Sequence, residues 1–181
     1  CSSTGWPATA PQHSAHEPLI FYSWAGYMPQ DILDRFQQEY GIPVEYVHYR
    51  DQDEALAQLR AGKRQFDVAV LGDVHLATAV DEGLLAELDY QNIPNFHNLG
   101  ANFRDLTNDP GNRYSIMIQW GTTGIIARSD RLVQPVTSWA DLWNPAYVGK
   151  VGVWPYPREA IGITLKSLGD YVNPAEITER R

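Results

Sequence analysis

From Pro18 onward the chain switches repeatedly between two hydrophobic periods. Leu19-Ile20-Phe21-Tyr22-Ser23-Trp24 is a short apolar run of strand character, and Ala25-Gly26-Tyr27 behind it reads as a loop. Pro29 suits the first turn of a helix, where its missing N–H costs nothing. Ile32, Leu33, Phe36 and Tyr40 fall on one face of that helix, and Gly41 supplies its stop. The unit then repeats. Residues 44–49 are rich in β-formers, and Ala55, Leu56 and Leu59 mark a helix that ends at Gly62. Residues 66–71 form a nearly continuous apolar run, the pattern of a buried parallel strand. Gly72-Asp73 turns the chain, with Asp73 placed to cap a helix over 74–82 that Gly83 ends. Strands and helices in strict alternation predict an α/β fold with a mostly parallel sheet. Ligands of such sheets bind beyond the carboxyl ends of the strands. The loops at 23–28 and 71–74 sit at that edge.

Residues 89–111, where Asn, Pro and Asp cluster, read as a long surface connection. Two further strands are expected over 114–120 and 124–128, separated by Gly121-Thr122-Thr123. The character changes after Arg128. Ser138-Trp139-Ala140-Asp141-Leu142-Trp143 reads as a short helix capped by Ser138, Val151-Gly152-Val153-Trp154 as a strand, and 158–169 as a helix. Asn173-Pro174-Ala175-Glu176 begins another helix. The expected organisation is a tether over 1–17, a first lobe over 18–128 and the start of a second lobe over 129–181. Roughly 50 residues are too few to bury a core of their own, so the second segment needs a cover.

The length of 181 residues allows one domain, or one plus part of another, and 44% hydrophobic residues suffice for a core. The net charge of −8 disfavours nucleic acid, whose phosphates call for Lys/Arg patches, and is compatible with a cationic ligand. Six Trp and ten Tyr serve either core packing or a ligand cage. The single cysteine is Cys1, which excludes an internal disulfide. No apolar run reaches the roughly 18 residues of a membrane span. A chain that opens on Cys, followed by a Ser/Thr/Pro/Ala-rich stretch to Glu17, reads as a mature lipoprotein: Cys1 as lipid anchor to a membrane surface, the tail as flexible tether. The plainer reading is an arbitrary start at Cys.

Candidate chemistry is sparse. Trp24 and Tyr27 share one strand-end loop, where their rings either face a ligand ammonium, at roughly 0.5 to 2 kcal/mol per ring, or simply pack the loop. Asp73 is either the helix cap or a carboxylate aimed at the cleft. Glu159 is either a first-turn acid favoured by the helix dipole or a partner for an amine. His48, His75 and His97 are scattered without zinc-type spacing, and no nucleophile elbow, phosphate-binding loop or dinucleotide fingerprint occurs. No catalytic group, resident cofactor or metal site is expected.

From about Leu19 to Gly169 the sequence resembles the spermidine/putrescine periplasmic binding proteins of ABC importers. The resemblance is carried by Phe21-Tyr22-Ser23-Trp24-Ala25-Gly26-Tyr27, by Tyr114-Ser115-Ile116 with Trp120-Gly121-Thr122-Thr123-Gly124, and by Val136-Thr137-Ser138-Trp139-Ala140-Asp141-Leu142-Trp143. It implies a type II periplasmic-binding-protein-like fold of two lobes, the second incomplete here, that closes on its ligand. It also implies that Trp24 and Tyr27 match first-loop aromatics contacting a polyamine, and that Glu159 matches an acid binding an amine. Two positions depart from the family. Gly72-Asp73-Val74 stands where spermidine binders often carry Ser-Thr-Tyr, so an aromatic wall is lost and a carboxylate appears. Tyr156 stands where an Asp is often found. The expected function is therefore capture of a small cationic solute outside the cytoplasm for an ABC permease, with no reaction. The ligand-side residues are Trp24, Tyr27, Asp73, Tyr156 and Glu159. The alternatives are the same fold with a phosphonate, organic acid or metal complex, or a truncated module that self-associates through its incomplete second lobe.

Overall fold

The computed structural model describes residues 17–169. Residues 1–16 of the expected tether, with Cys1, and the helix expected from Asn173 lie outside the described residues. The chain divides into two units, Cys1–Trp120 and Gly121–Arg181. This division precedes the boundary expected near Arg128. Residues up to Ser115 are tied into the first unit by Asp109, whereas Ile125 and Ala127 line a groove of the second.

The first unit is built on three parallel strands in the order β2-β1-β3: β1 Leu19–Trp24, β2 Val44–Tyr49 and β3 Val68–Ala69. The register pairs Leu19 with Val44 through Trp24 with Tyr49 on one side of β1, and Phe21 with Val68 on the other. The helices are α1 Gln30–Tyr40, α2 Gln52–Ala61 and α3 Asp73–Asp81. Tyr22, at 2% exposure, and Tyr49 and Ala55 form the core. Phe66 stacks on Tyr22 with centroids 4.0 Å apart, and Tyr49 meets Tyr22 edge-on at 5.0 Å. Such aromatic pairs add about 0.5–1.5 kcal/mol each beyond their buried area. Gly41 and Gly62 stop α1 and α2 in the left-handed region, with φ of 71° and 58°.

Several expectations need correction. Pro29 is the residue before the first turn of α1 rather than in it. Only Leu33 of the expected apolar face is buried, while Ile32 and Tyr40 are exposed. β3 is far shorter than 66–71. Its ladder runs only from the Asp67 amide on Ile20 O to the Val70 amide on Tyr22 O, and Val68 is 46% exposed. Among the described residues β3 is an edge strand, so half of its backbone groups find no ladder partner. α3 begins at Asp73, with Gly72 as its cap, so Asp73 is not the cap expected. Residues 114–120 are not a strand either. Asp109, 3% exposed, accepts from the Ser115 amide at 2.8 Å and its hydroxyl at 2.7 Å, and from the Arg113 and Tyr114 amides. Beyond that anchor, Ile118 and Trp120 are exposed.

In the second unit, α4 spans Pro157–Ser167 and the remaining order comes from 3-10 turns at Ser129–Arg131, Trp139–Trp143 and Pro145–Tyr147. Ser138 caps as expected, accepting from the Ala140 amide at 3.2 Å. Asp141 answers by accepting from the Thr137 and Ser138 amides, both at 2.8 Å, but the turn is 3-10. Trp143 donates its indole N–H to Ser167 Oγ at 2.7 Å, binding that turn to α4. The strands expected over 124–128 and 151–154 are absent among the described residues. A β-forming composition is not enough for a strand, which also needs a neighbour, and these segments pair with none among the described residues. Ile126 is accordingly 99% exposed, and Val153 and Trp154 are exposed too. Of the expected stripe on α4, Leu165 is half-buried, whereas Ile161 and Leu168 stay exposed.

Candidate functional site

At the carboxyl end of β1, alternation sends Ser23 to one face and Trp24 to the face of Tyr22. The Trp24 indole rests against the Tyr49 ring, centroids 4.9 Å apart at 61°. Trp24 is half-buried: one side packs against the core cluster and the rest is open. Tyr27 lies past Gly26, whose φ of 77° turns the chain, and is 47% exposed. Its amide returns to Trp24 O at 3.3 Å.

The neighbouring strand ends are fastened by side chains. Tyr49 donates its hydroxyl to Val70 O at 2.6 Å, which joins the end of β2 to the residue after β3. Burial pushes the Tyr49 hydroxyl well above the ordinary tyrosine pKa, so it stays a donor. Gln52 donates to Tyr49 Oη at 3.3 Å and accepts the Gly72 amide at 2.9 Å. Gly72 thereby holds the start of α3, and Asp73 stands exposed in its first turn, its Oδ1 accepting from the Val74 amide at 2.9 Å. A carboxylate there is favoured by the helix dipole. The 71–74 loop and the 24–28 loop thus stand at the ends of adjacent strands.

The second unit carries its own aromatic and acidic group. Tyr156 is the residue that starts α4, followed by Pro157, and Glu159 lies in the first turn. Thr123 donates its hydroxyl to Glu159 Oε2 at 3.2 Å, so the Gly121–Gly124 motif touches the helix start. The exposed rings of Trp154 and Tyr156 run nearly parallel, at 17° and 6.3 Å between centroids. A groove of about 710 Å³ in this unit is lined by Ile125, Leu132, Val133 and Trp139 among others, with no charged side chain. A cation has no counter-charge there. Among the described residues no three His, Cys, Asp or Glu side chains cluster as a metal site, and no helix is long and apolar enough to cross a membrane.

Sequence reasoning missed Tyr46, Tyr49, Gln52, Thr123 and Trp154. Tyr46 and Tyr49, three residues apart on β2, lie on opposite faces of the sheet, and a strand pattern says nothing of which hydroxyl reaches a loop. Gln52 gave no signal at all. Trp154 was assigned to a strand that does not form.

The chain matches the family described as bacterial extracellular solute-binding protein over residues 31–176. It is similar to the spermidine/putrescine-binding periplasmic protein of Salmonella typhimurium, at 33% identity over 93% of this chain and 50% of that protein. It is 31% identical to the putrescine/cadaverine-binding protein of Pseudomonas aeruginosa over the same shares. Among solved structures, the spermidine/putrescine ABC transporter substrate-binding protein of Streptococcus pneumoniae superposes with a TM-score of 0.76 at 30% identity, covering 90% of this chain and 51% of that one. A lipoprotein of Treponema pallidum gives 0.81 at 25% identity, covering 90% and 52%. The chain spans about half the length of the curated relatives it matches, and its structure is a partial α/β form of the periplasmic-binding-protein fold.

Proposed function

On the premise that this chain belongs to the bacterial extracellular solute-binding protein family, we propose that it captures a polyamine outside the cytoplasm and presents it to an ABC permease. The observation that carries this reading is the pairing of open aromatic rings with a carboxylate in each unit: Trp24, Tyr27 and Asp73 in the first, Tyr156 and Glu159 in the second. A polyamine alternates ammonium groups with methylene chain. Ring faces attract the ammonium by roughly 0.5 to 2 kcal/mol each and cover the methylenes, and carboxylates supply the opposite charge. Recognition needs no bond made or broken, so the protein is a receptor rather than an enzyme. The departures at 72–74 and at Tyr156 bear on which polyamine fits: in one unit an aromatic is lost and a carboxylate appears, and in the other an aromatic stands in place of a carboxylate. A phosphonate or organic acid is disfavoured, since Asp73 and Glu159 occupy the very helix starts that would otherwise attract an anion.

Calorimetric titration with putrescine and spermidine, against succinate and methylphosphonate, tests the reading. Heat from the polyamines alone supports it; binding of an acid, or of none of the four, overturns it. Cys1 as a lipid anchor belongs to the same proposal and is tested by intact mass: protein extracted from membranes carries acyl mass on Cys1, and unmodified soluble protein removes the anchor.

A further inference from the structure

The loop that bears Trp24 and Tyr27 is closed by one hydroxyl group. Tyr46, in the middle of β2, donates its O–H to the Trp24 carbonyl, and the same oxygen accepts the Tyr27 amide at 3.2 Å and the Met28 amide at 3.3 Å. A phenol has one proton to give and two lone pairs to fill, so this hydroxyl is fully used. Its ring is fixed in turn, with Phe21 5.2 Å away on β1 and His48 4.2 Å away on its own strand. The contact spans the Gly26 turn: the last carbonyl of β1 on one side and two amides past the glycine on the other. No backbone ladder reaches Tyr27 or Met28, so without Tyr46 these amides depend on the weak return of Tyr27 to Trp24 O and on water.

We propose that Tyr46 is a positioning residue for the polyamine site: it sets the height and angle of the 24–28 loop, and thereby of Trp24 and Tyr27, without touching the ligand. The proposal rests on the reading of that loop as ligand-binding. A loop held in its bound shape loses less conformational freedom on binding, which appears directly as affinity. Tyr46 contributes at this point because the strand pairing of β2 with β1 places residue 46 beside residue 21, low enough on the sheet for a ring to reach the loop from below.

The test uses the full chain with Tyr46→Phe, which keeps the ring and its aromatic neighbours and removes only the hydroxyl. Amide hydrogen exchange at Tyr27 and Met28 is expected to rise roughly tenfold or more, while amides of β1 and β2 keep their protection. The dissociation constant for spermidine or putrescine is expected to rise about five- to tenfold. Unchanged exchange at the two amides overturns the proposal. So does loss of protection across the whole sheet, which would make Tyr46 a general core residue. So does full polyamine affinity in a variant whose loop exchange has risen. If the unsubstituted chain binds neither polyamine, the ligand reading falls by itself, and the exchange measurement still decides whether Tyr46 holds the loop.

Discussion

Replacing Trp24 by Ala removes a ring that serves two masters, and the two losses can be separated. A tryptophan carries about 150–250 Å² of buriable surface. About two thirds or more is already covered by Tyr49 and the core. A ligand can therefore take on the order of 20–80 Å² of the open part, worth about 0.5–2 kcal/mol at 25 cal/mol per Å². An ammonium over the ring adds roughly 0.5–2 kcal/mol. Binding orders both partners and returns part of this, which leaves about 1–3 kcal/mol, or five- to 150-fold in the dissociation constant. The fold loses as well, because the Trp24–Tyr49 contact disappears; about 1–3 kcal/mol of unfolding free energy is expected, read by urea denaturation. Trp24→Phe separates the two. It keeps an aromatic face for an ammonium while shrinking the contact with Tyr49, so affinity should fall less than stability. Titration calorimetry with spermidine and putrescine on both variants is the assay. A folded Trp24→Ala variant with unchanged affinity would refute the placement of this ring in the site.

Three further outcomes follow from contacts described above. Asp109→Ala deprives three amides and the Ser115 hydroxyl of their acceptor in a buried place, so urea denaturation should show a loss of about 2–4 kcal/mol, and limited proteolysis should cut near 109–116 first. The Thr137 and Ser138 amides hold the Asp141 carboxyl below the ordinary aspartate pKa; the stabilisation is complete above about pH 4 and fades as pH falls through the lower folded value, so wild type and Asp141→Asn should converge in melting temperature in strong acid and differ at neutrality. Equal differences at both pH values would show the capping contact to be unimportant. The unpaired segment with exposed Val153 and Trp154 predicts that the 181-residue chain associates with itself through residues after Arg128; light scattering should give a mass that rises with concentration, and a strict monomer with protected amides over 151–168 contradicts this.

What the sequence disclosed was whatever local periodicity controls. The helix stops at Gly41 and Gly62, the Ser138 cap and the strand Leu19–Trp24 were all readable, because each depends on a residue's own conformational preference or on a run of neighbours. Residues 114–120, 124–128 and 151–154 have the same β-forming composition as β2, yet they form no ladder. Pairing is a property of two segments, and one segment cannot announce its partner. The candidate site divides the same way. Trp24 and Tyr27 are candidates from their place at and after a strand end, and Glu159 from its place in a helix start. Tyr46 and Gln52 act across the sheet, through a hydroxyl and an amide whose reach depends on register, so composition was silent about them. Asp73 was misassigned because Gly-Asp before a helix admits two frames, and the Gln52 contact to the Gly72 amide selects the one that puts the cap a residue earlier.

The all-parallel order of the sheet has a consequence in time. Of the three strands β1 is made first, but every ladder bond it makes waits for Val44–Tyr49 on one side and Val68–Ala69 on the other. Each pairing must be reached across a helical crossover, so closure entropy is lost before any sheet energy is gained, and folding of such topologies is slow. Until Val68 emerges, the apolar run from Leu19 to Trp24 has no second neighbour and remains a threadable, sticky strand. Whatever handles this chain during synthesis meets it with that strand unpaired and the 24–28 loop trailing directly behind it.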